Sequence, residues 1–141
     1  KDVVVYTNIN LHCGDGKEKL THKKALIKYP NNFCSEFITP AEPNTSIRHL
    51  QIGSRSWLIM YKSYDDWRSN VGDGEIKIIY ENTSGYHKVK YPLYAIDFIL
   101  AADEKMYAID FNIAPGIRGT GIEKILKGSE VVNLIKNAFY K

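Results

Sequence analysis

The feature that most constrains this chain is a pair of alternating strands near its end. Leu93–Leu100 (LYAIDFIL) and residues 106–113 (MYAIDFNI) are rich in β-branched and aromatic residues and are separated only by Ala101-Ala102-Asp103-Glu104-Lys105, so they are expected to close as an antiparallel hairpin. A turn centred between Asp103 and Glu104, as a two- or four-residue loop requires, sets Asp97 directly opposite Asp110. An odd-length loop would break that pairing. Asn112 lies two residues on and shares the face of Asp110, whereas Ile109, Phe111 and Ile113 point the other way. Like charges facing each other across a sheet repel, and Ile96, Phe98 and Ile109 make this worse by lowering the local dielectric. A cation would relieve the conflict, and oxygen donors without His or Cys suit Mg²⁺. The plain alternative is that both aspartates are ordinary polar residues on a solvated strand face.

Other segments read in the same terms. Residues 2–10 form a strand stopped by Gly14-Asp15-Gly16, residues 17–28 are lysine-rich and weakly helical through Leu20, Lys24 and Ile27, and residues 33–39 are a short strand ended by Pro40 and Pro43. Residues 46–52 and 57–61 make a first hairpin about Gly53-Ser54. Residues 67–74 are a polar loop, 75–80 a further strand and 82–86 a turn. After Pro115 comes the glycine-rich run 116–121, and Ser129 is a plausible N-cap for a closing helix carrying Val132, Leu134, Ile135 and Phe139. Strands in this order favour an α+β fold with an antiparallel sheet.

Composition sets the outer bounds. A chain of 141 residues, 44% of them hydrophobic, suits one domain with one core. The net charge of +3 is too mild to argue for nucleic acid. Cys13 and Cys34 lack metal-ligand spacing and point to an intracellular chain, although a single disulfide is compatible. No apolar run approaches the roughly 18 to 20 residues of a membrane span and the start is not a signal peptide, so a soluble, cytoplasmic protein is expected. Lys1 in place of Met, leading straight into a strand, reads as an excised or processed piece. His12, His22, His49 and His87 are scattered without metal spacing, and no base stands near Cys13 in sequence to activate it.

Several of these segments together resemble the ATP-grasp ligases. Asp97-Phe98-Ile99, followed by Tyr107-Ala108-Ile109-Asp110-Phe111-Asn112-Ile113-Ala114-Pro115-Gly116, resembles the family's metal-binding end, where an acid on one strand precedes an acid-x-Asn-x-x-Pro-Gly segment. Ser46-Ile47-Arg48-His49-Leu50-Gln51-Ile52-Gly53 is similar to the strand bearing a phosphate- or substrate-facing arginine. Trp67-Arg68-Ser69-Asn70 is similar to the Arg-x-Asn loop of the glutathione-synthetase and glutamate-ligase branch, and Ser35-Glu36-Phe37-Ile38 resembles the hinge that pairs with the adenine edge. The four motifs fall in family order and span roughly residues 33–123.

The resemblance implies an ATP-grasp-like antiparallel sheet with flanking helices, in which residues 1–40 are a remnant of the nucleotide-binding subdomain and hinge and residues 41–141 the metal- and phosphate-binding subdomain. It implies an ATP- and Mg²⁺-dependent carboxylate–amine ligase, with small-molecule or peptide carboxylate and amine substrates. Asp97, Asp110 and Asn112 would hold the metal, and Arg68, Asn70 and Arg48 would act on the transferring phosphoryl group or the acceptor carboxylate. Glu36, Phe37 and Ile38 would line the adenine over Ile109, Lys17 would face a phosphate, and the loop 115–121, as mobile glycine-rich backbone, would contact the acceptor. The chain departs from the family in three respects. The strand Val4-Val5-Tyr6-Thr7-Asn8 carries no lysine, the loop 13–17 contains an acid, and the short 86–92 replaces a long helix. The family's amino-terminal domain is missing too, so an upstream domain or partner chain belongs to the expectation, and a ligase fragment and a reduced relative both stay open. So do two other classes: a nucleotide-binding module without catalysis, and a basic interaction protein using the lysines of 17–28 with Trp57, Trp67 and Tyr61.

Overall fold

A computed structural model describes residues 1–11, 14–82 and 91–140. Among these residues the chain is α+β, with two antiparallel sheets and two α-helices, and it divides into two units, Lys1–Thr39 and Pro40–Lys141, each with its own sheet and core. The expected turn at 82–86 falls largely outside the described residues, as do His12, Cys13 and His87.

In the first unit β1 (Asp2–Tyr6) is the central strand, flanked by β2 (Lys17–Thr21) and β3 (Cys34–Glu36). The helix expected over 17–28 is therefore half strand. A buried strand must pair its backbone groups on both edges, and Lys17–Thr21 satisfies one edge of β1 from Asp2↔Thr21 to Tyr6↔Lys17. Only His22–Lys28 is helical (α1), capped by the Thr21 hydroxyl, which accepts the Lys24 N–H at 3.4 Å. Val3, Val5 and Ala25 form the small core with Leu20 and Tyr29 packed on it, while Ile27 is exposed.

The second unit is a five-stranded sheet in the order β6-β5-β4-β7-β8, made of β4 (Thr45–Ile52), β5 (Arg55–Ser63), β6 (Gly74–Asn82), β7 (Leu93–Leu100) and β8 (Met106–Asn112). One face buries Leu50, Ile52, Trp57, Ile59 and Ala95 beneath the 3₁₀ turn Ile122–Lys124 and helix α2 (Gly128–Phe139). α2 starts two residues earlier than a Ser129 cap would give: its N-cap is Lys127, whose N–H donates to the Glu130 carboxylate at 2.7 Å. Its inward stripe is consequently Val131, Leu134 and Ile135, leaving Val132 and Phe139 exposed. Gly53 opens the two-residue turn between β4 and β5 with φ +57°, a position where this type of hairpin needs glycine.

The β7–β8 hairpin reaches the expected Asp97↔Asp110 pairing by an unexpected route. Its loop is odd. Leu100 pairs with Met106, the Ala101 N–H donates to the Lys105 carbonyl at 2.9 Å, and Glu104 takes a left-handed φ of +65°. Alone, that loop would set Asp97 against Ile109. A β-bulge then inserts Ile109 between the Phe98↔Ala108 and Asp97↔Asp110 pairs, restoring the register from Asp110 onwards.

Gly53 makes this architecture testable. A Cβ there would lie 2.2 Å from the Leu134 carbonyl oxygen of α2, whereas one at Gly119 (φ +79°) meets nothing within 4 Å. Gly53→Ala should lower unfolding free energy by about 2–3 kcal/mol through strain and displacement of α2, and Gly119→Ala by only about 1 kcal/mol. Urea unfolding of the two variants checks the difference, and equal losses would mean α2 does not seat on this turn.

Candidate functional site

On the helix-covered face one ladder row crosses all five strands: Ile78, Ile59, Arg48, Asp97 and Asp110, from β6 to β8. Cross-strand partners share a face, so the row passes from apolar to cationic to anionic. The next row ends in Ala95↔Asn112, which sets Asn112 beside Asp110 on that face. Four of the expected site residues are thus brought together.

Arg48 and Asp97 form a bidentate fork, Nε to Oδ1 at 2.7 Å and Nη2 to Oδ2 at 2.8 Å, with side chains 22% and 21% exposed. That is too little exposure for water to screen them as it screens a surface pair. The Asp97 carboxylate pushes the Arg48 guanidinium well above its ordinary range, and Asp110 adds to the effect from β8. The electrostatic conflict between Asp97 and Asp110 that called for a cation is therefore relieved inside the protein by Arg48. Tyr61 of β5 lies under the guanidinium at 5.4 Å from ring centre, and burial pushes its phenol upward.

Two loops adjoin the sheet, 64–73 between β5 and β6 and 113–121 after β8. The loop 64–73 is organised by the buried Ser63 hydroxyl, which accepts the Asp66 N–H at 3.0 Å and donates to the Val71 carbonyl at 2.6 Å. Ser69 shares a 2.5 Å hydrogen bond with Ser46, two residues from Arg48 on the same strand. Within the loop Arg68 is gripped by Asp66, Nε to Oδ1 at 2.9 Å and Nη2 to Oδ2 at 2.8 Å, and stands 5.9 Å from the Trp67 ring centre. The Arg68 fork holds the Asp66 carboxyl below the usual carboxylate range. Asn70 is exposed.

The second loop carries Gly119 (φ +79°) and Gly121 (φ +88°), but it is tied rather than open. Glu123 accepts the N–H of Gly119 at 3.1 Å and of Gly121 at 3.0 Å, and the buried Thr120 hydroxyl donates to the Ile117 carbonyl at 2.6 Å. Backbone N–H groups, its own first, hold Glu123 below the usual carboxylate range. Asn112 Oδ1 accepts the Ala114 N–H at 2.8 Å, turning the chain from β8 into this loop.

The remaining candidates are spread more widely. Ile109 is the bulge residue and is half exposed. Lys17, Glu36, Phe37 and Ile38 lie in the first unit. There Glu36 pairs with Lys1 at 2.6 Å, Lys19 stands 3.7 Å from the Phe37 ring centre, Lys17 stands 5.1 Å from that of Tyr6, and Ile38 is half-buried. Sequence reasoning missed Asp66 and Glu123, and named Tyr61 only as part of an interaction surface. Asp66 was within reach of it, since Asp-x-Arg in a loop invites a local fork.

Carboxylate and amide oxygens on one face are the donors a hard divalent cation takes, and Asp97, Asp110 and Asn112 present them, with both Asp97 oxygens engaged by Arg48 and Asn112 Oδ1 by the Ala114 N–H. Among the described residues, no three His, Cys, Asp or Glu side chains gather as a metal site; the second acid here is Asp110 and the third donor is an amide. Among the described residues no helix is long and apolar enough to cross a membrane. Compared with known proteins, the chain matches no family model and no curated sequence.

Removing either partner of the Arg48–Asp97 fork leaves a poorly solvated charge. A double-mutant cycle with Arg48→Met and Asp97→Asn, read by urea unfolding, should give a coupling of about 1–3 kcal/mol. A coupling below about 0.5 kcal/mol would mean that solvent screens the pair after all.

Proposed function

We propose that the chain is the metal- and phosphate-binding part of an ATP- and Mg²⁺-dependent carboxylate–amine ligase of ATP-grasp type. One observation carries the proposal: Arg48, Asp97, Asp110 and Asn112, which the resemblance assigns to cation and phosphate chemistry from separate segments, share one sheet face. In such a ligase the substrate carboxylate attacks the γ-phosphate of ATP, ADP leaves, and an amine displaces phosphate from the acyl-phosphate.

Asp97, Asp110 and Asn112 would hold Mg²⁺, which when bound supplies charge neutralisation at the phosphates. Arg48 and Arg68 present planar forks suited to phosphoryl or carboxylate oxygens. Asp66 fixes the Arg68 fork before substrate arrives, which limits the reorganisation needed during reaction, whereas Arg48 must leave Asp97 to meet phosphate. Asn70 would orient the same group, and the loop 115–121 offers acceptor-facing backbone that Glu123 already holds in shape. In the first unit, Glu36, Phe37 and Ile38 would line the adenine and Lys17 would face a phosphate. Binding without turnover is the second reading, favoured by β1, where no lysine stands among Asp2–Tyr6.

Mg²⁺ with ATP should raise thermal stability, by about 2.7 kcal/mol at a hundredfold excess over Kd, and ATP without metal should do far less. Asp110→Asn should abolish the joint shift. Its effect on metal-free stability should stay within about 0.5 kcal/mol, because Asp110 attracts Arg48 while repelling Asp97 and the two effects offset. No stabilisation of the wild type by millimolar Mg²⁺ and ATP would remove the proposal.

Turnover separates the two readings. Arg68→Lys keeps the charge but loses the paired donors, so in the full-length protein it should lower acceptor-stimulated ADP release by roughly 10²-fold, about 3 kcal/mol in the transition state, with a much smaller change in ATP affinity. Unchanged turnover would reduce Arg68 to a loop-forming partner of Asp66. Mg²⁺–ATP binding by the wild type with no ADP release for any amine and carboxylate pair would favour the non-catalytic module.

A further inference from the structure

We infer that Arg48 is a partner-switching residue that makes cation binding and polyphosphate binding depend on each other. The inference rests on the ligase reading only in naming the two ligands; the lock itself is built from charges in the fold.

Both oxygens of Asp97 are occupied, one by Nε at 2.7 Å and the other by Nη2 at 2.8 Å of Arg48. A divalent cation arriving alone must displace a guanidinium from its own ligand, leaving Arg48 mostly buried without a partner, or else bind beside it against repulsion. A polyphosphate arriving alone must draw Arg48 off Asp97, which leaves Asp97 facing Asp110 with no positive charge between them. Each ligand alone is opposed. Together they remove each other's obstacle, since phosphate oxygens take the guanidinium while the cation takes the two carboxylates.

The surroundings leave Arg48 few other choices. Asp97 faces it from β7, Asp110 acts on it from β8, and from β5 the Tyr61 ring lies below it at 5.4 Å from the centroid. Burial keeps the Tyr61 phenol neutral, so it offers no alternative anion. Linkage then requires that the cation raise polyphosphate affinity by the same factor as polyphosphate raises cation affinity.

The direct test is Mn²⁺ binding without any phosphate, read from the free-Mn²⁺ electron paramagnetic resonance signal. Arg48→Met removes the competing fork and should tighten Mn²⁺ binding at least about tenfold, while Arg48→Lys, a single point charge, should fall between it and the wild type. The gain should disappear when Asp97→Asn is added to Arg48→Met. Mn²⁺ affinity unchanged or weakened in Arg48→Met overturns the inference. If the variants do not fold, the wild type decides: its Arg48 Nε–H proton resonance should hold its position with Mg²⁺ alone and move when ATP is added with Mg²⁺. Movement with Mg²⁺ alone, or none with both, overturns it equally. Tightening of Mn²⁺ in Arg48→Met, with joint stabilisation of the wild type by Mg²⁺ and inorganic tripolyphosphate but no ADP release from ATP, would keep the lock and discard the ligase.

Discussion

Between Arg48 on β4 and Asp97 on β7, two parallel hydrogen bonds join opposite charges where the buried middle of the sheet face gives way to the exposed Asp110 and Asn112 of β8. Either charge alone would cost several kcal/mol in that position, so each holds the other there. The fork also fixes the register of β4 against β7, because a slip of one residue would leave Arg48 opposite Ile96 or Phe98, with no carboxylate to meet it. With that register set, Asp110 and Asn112 follow from β8. The apolar part of the same row, Ile59 and Ile78, continues into the core under α2.

Around this row, small polar side chains organise the loops. One buried hydroxyl, Ser63, gathers the loop 64–73, and one carboxylate, Glu123, gathers the glycines of the closing loop. Loops tied this way put little conformational entropy at risk when they close on a ligand. The glycines serve the turn geometry, with φ values of +79° and +88° that other residues resist, more than they serve motion.

Much of the second unit was legible because its strands alternate and its turns carry glycine. The hairpin at Gly53-Ser54, the strands around Asp97 and Asp110 and the closing helix all emerge where local chemistry expects them. Less was legible wherever a non-local partner decides the outcome. Residues 17–21 carry three charges and read as polar helix, yet they pair with β1, whose open edge no local pattern announces. The Arg48–Asp97 fork joins segments 49 residues apart, and nothing in either segment specifies their mutual register. The Asp97↔Asp110 pairing was reached from an even loop that does not exist. Glu104 adopts a left-handed conformation usually marked by glycine or asparagine, and Ile109 is an ordinary strand residue that happens to bulge.

The bulge at Ile109 also bears on how the sheet meets other chains. β8 is an edge strand whose side chains Met106, Ile109 and Phe111 are about half exposed, a combination that ordinarily invites a further strand to add and aggregation to follow. A ladder interrupted in mid-strand cannot offer an arriving chain an unbroken run of backbone donors and acceptors. The residue that keeps the acids aligned therefore also interrupts the open edge of the sheet.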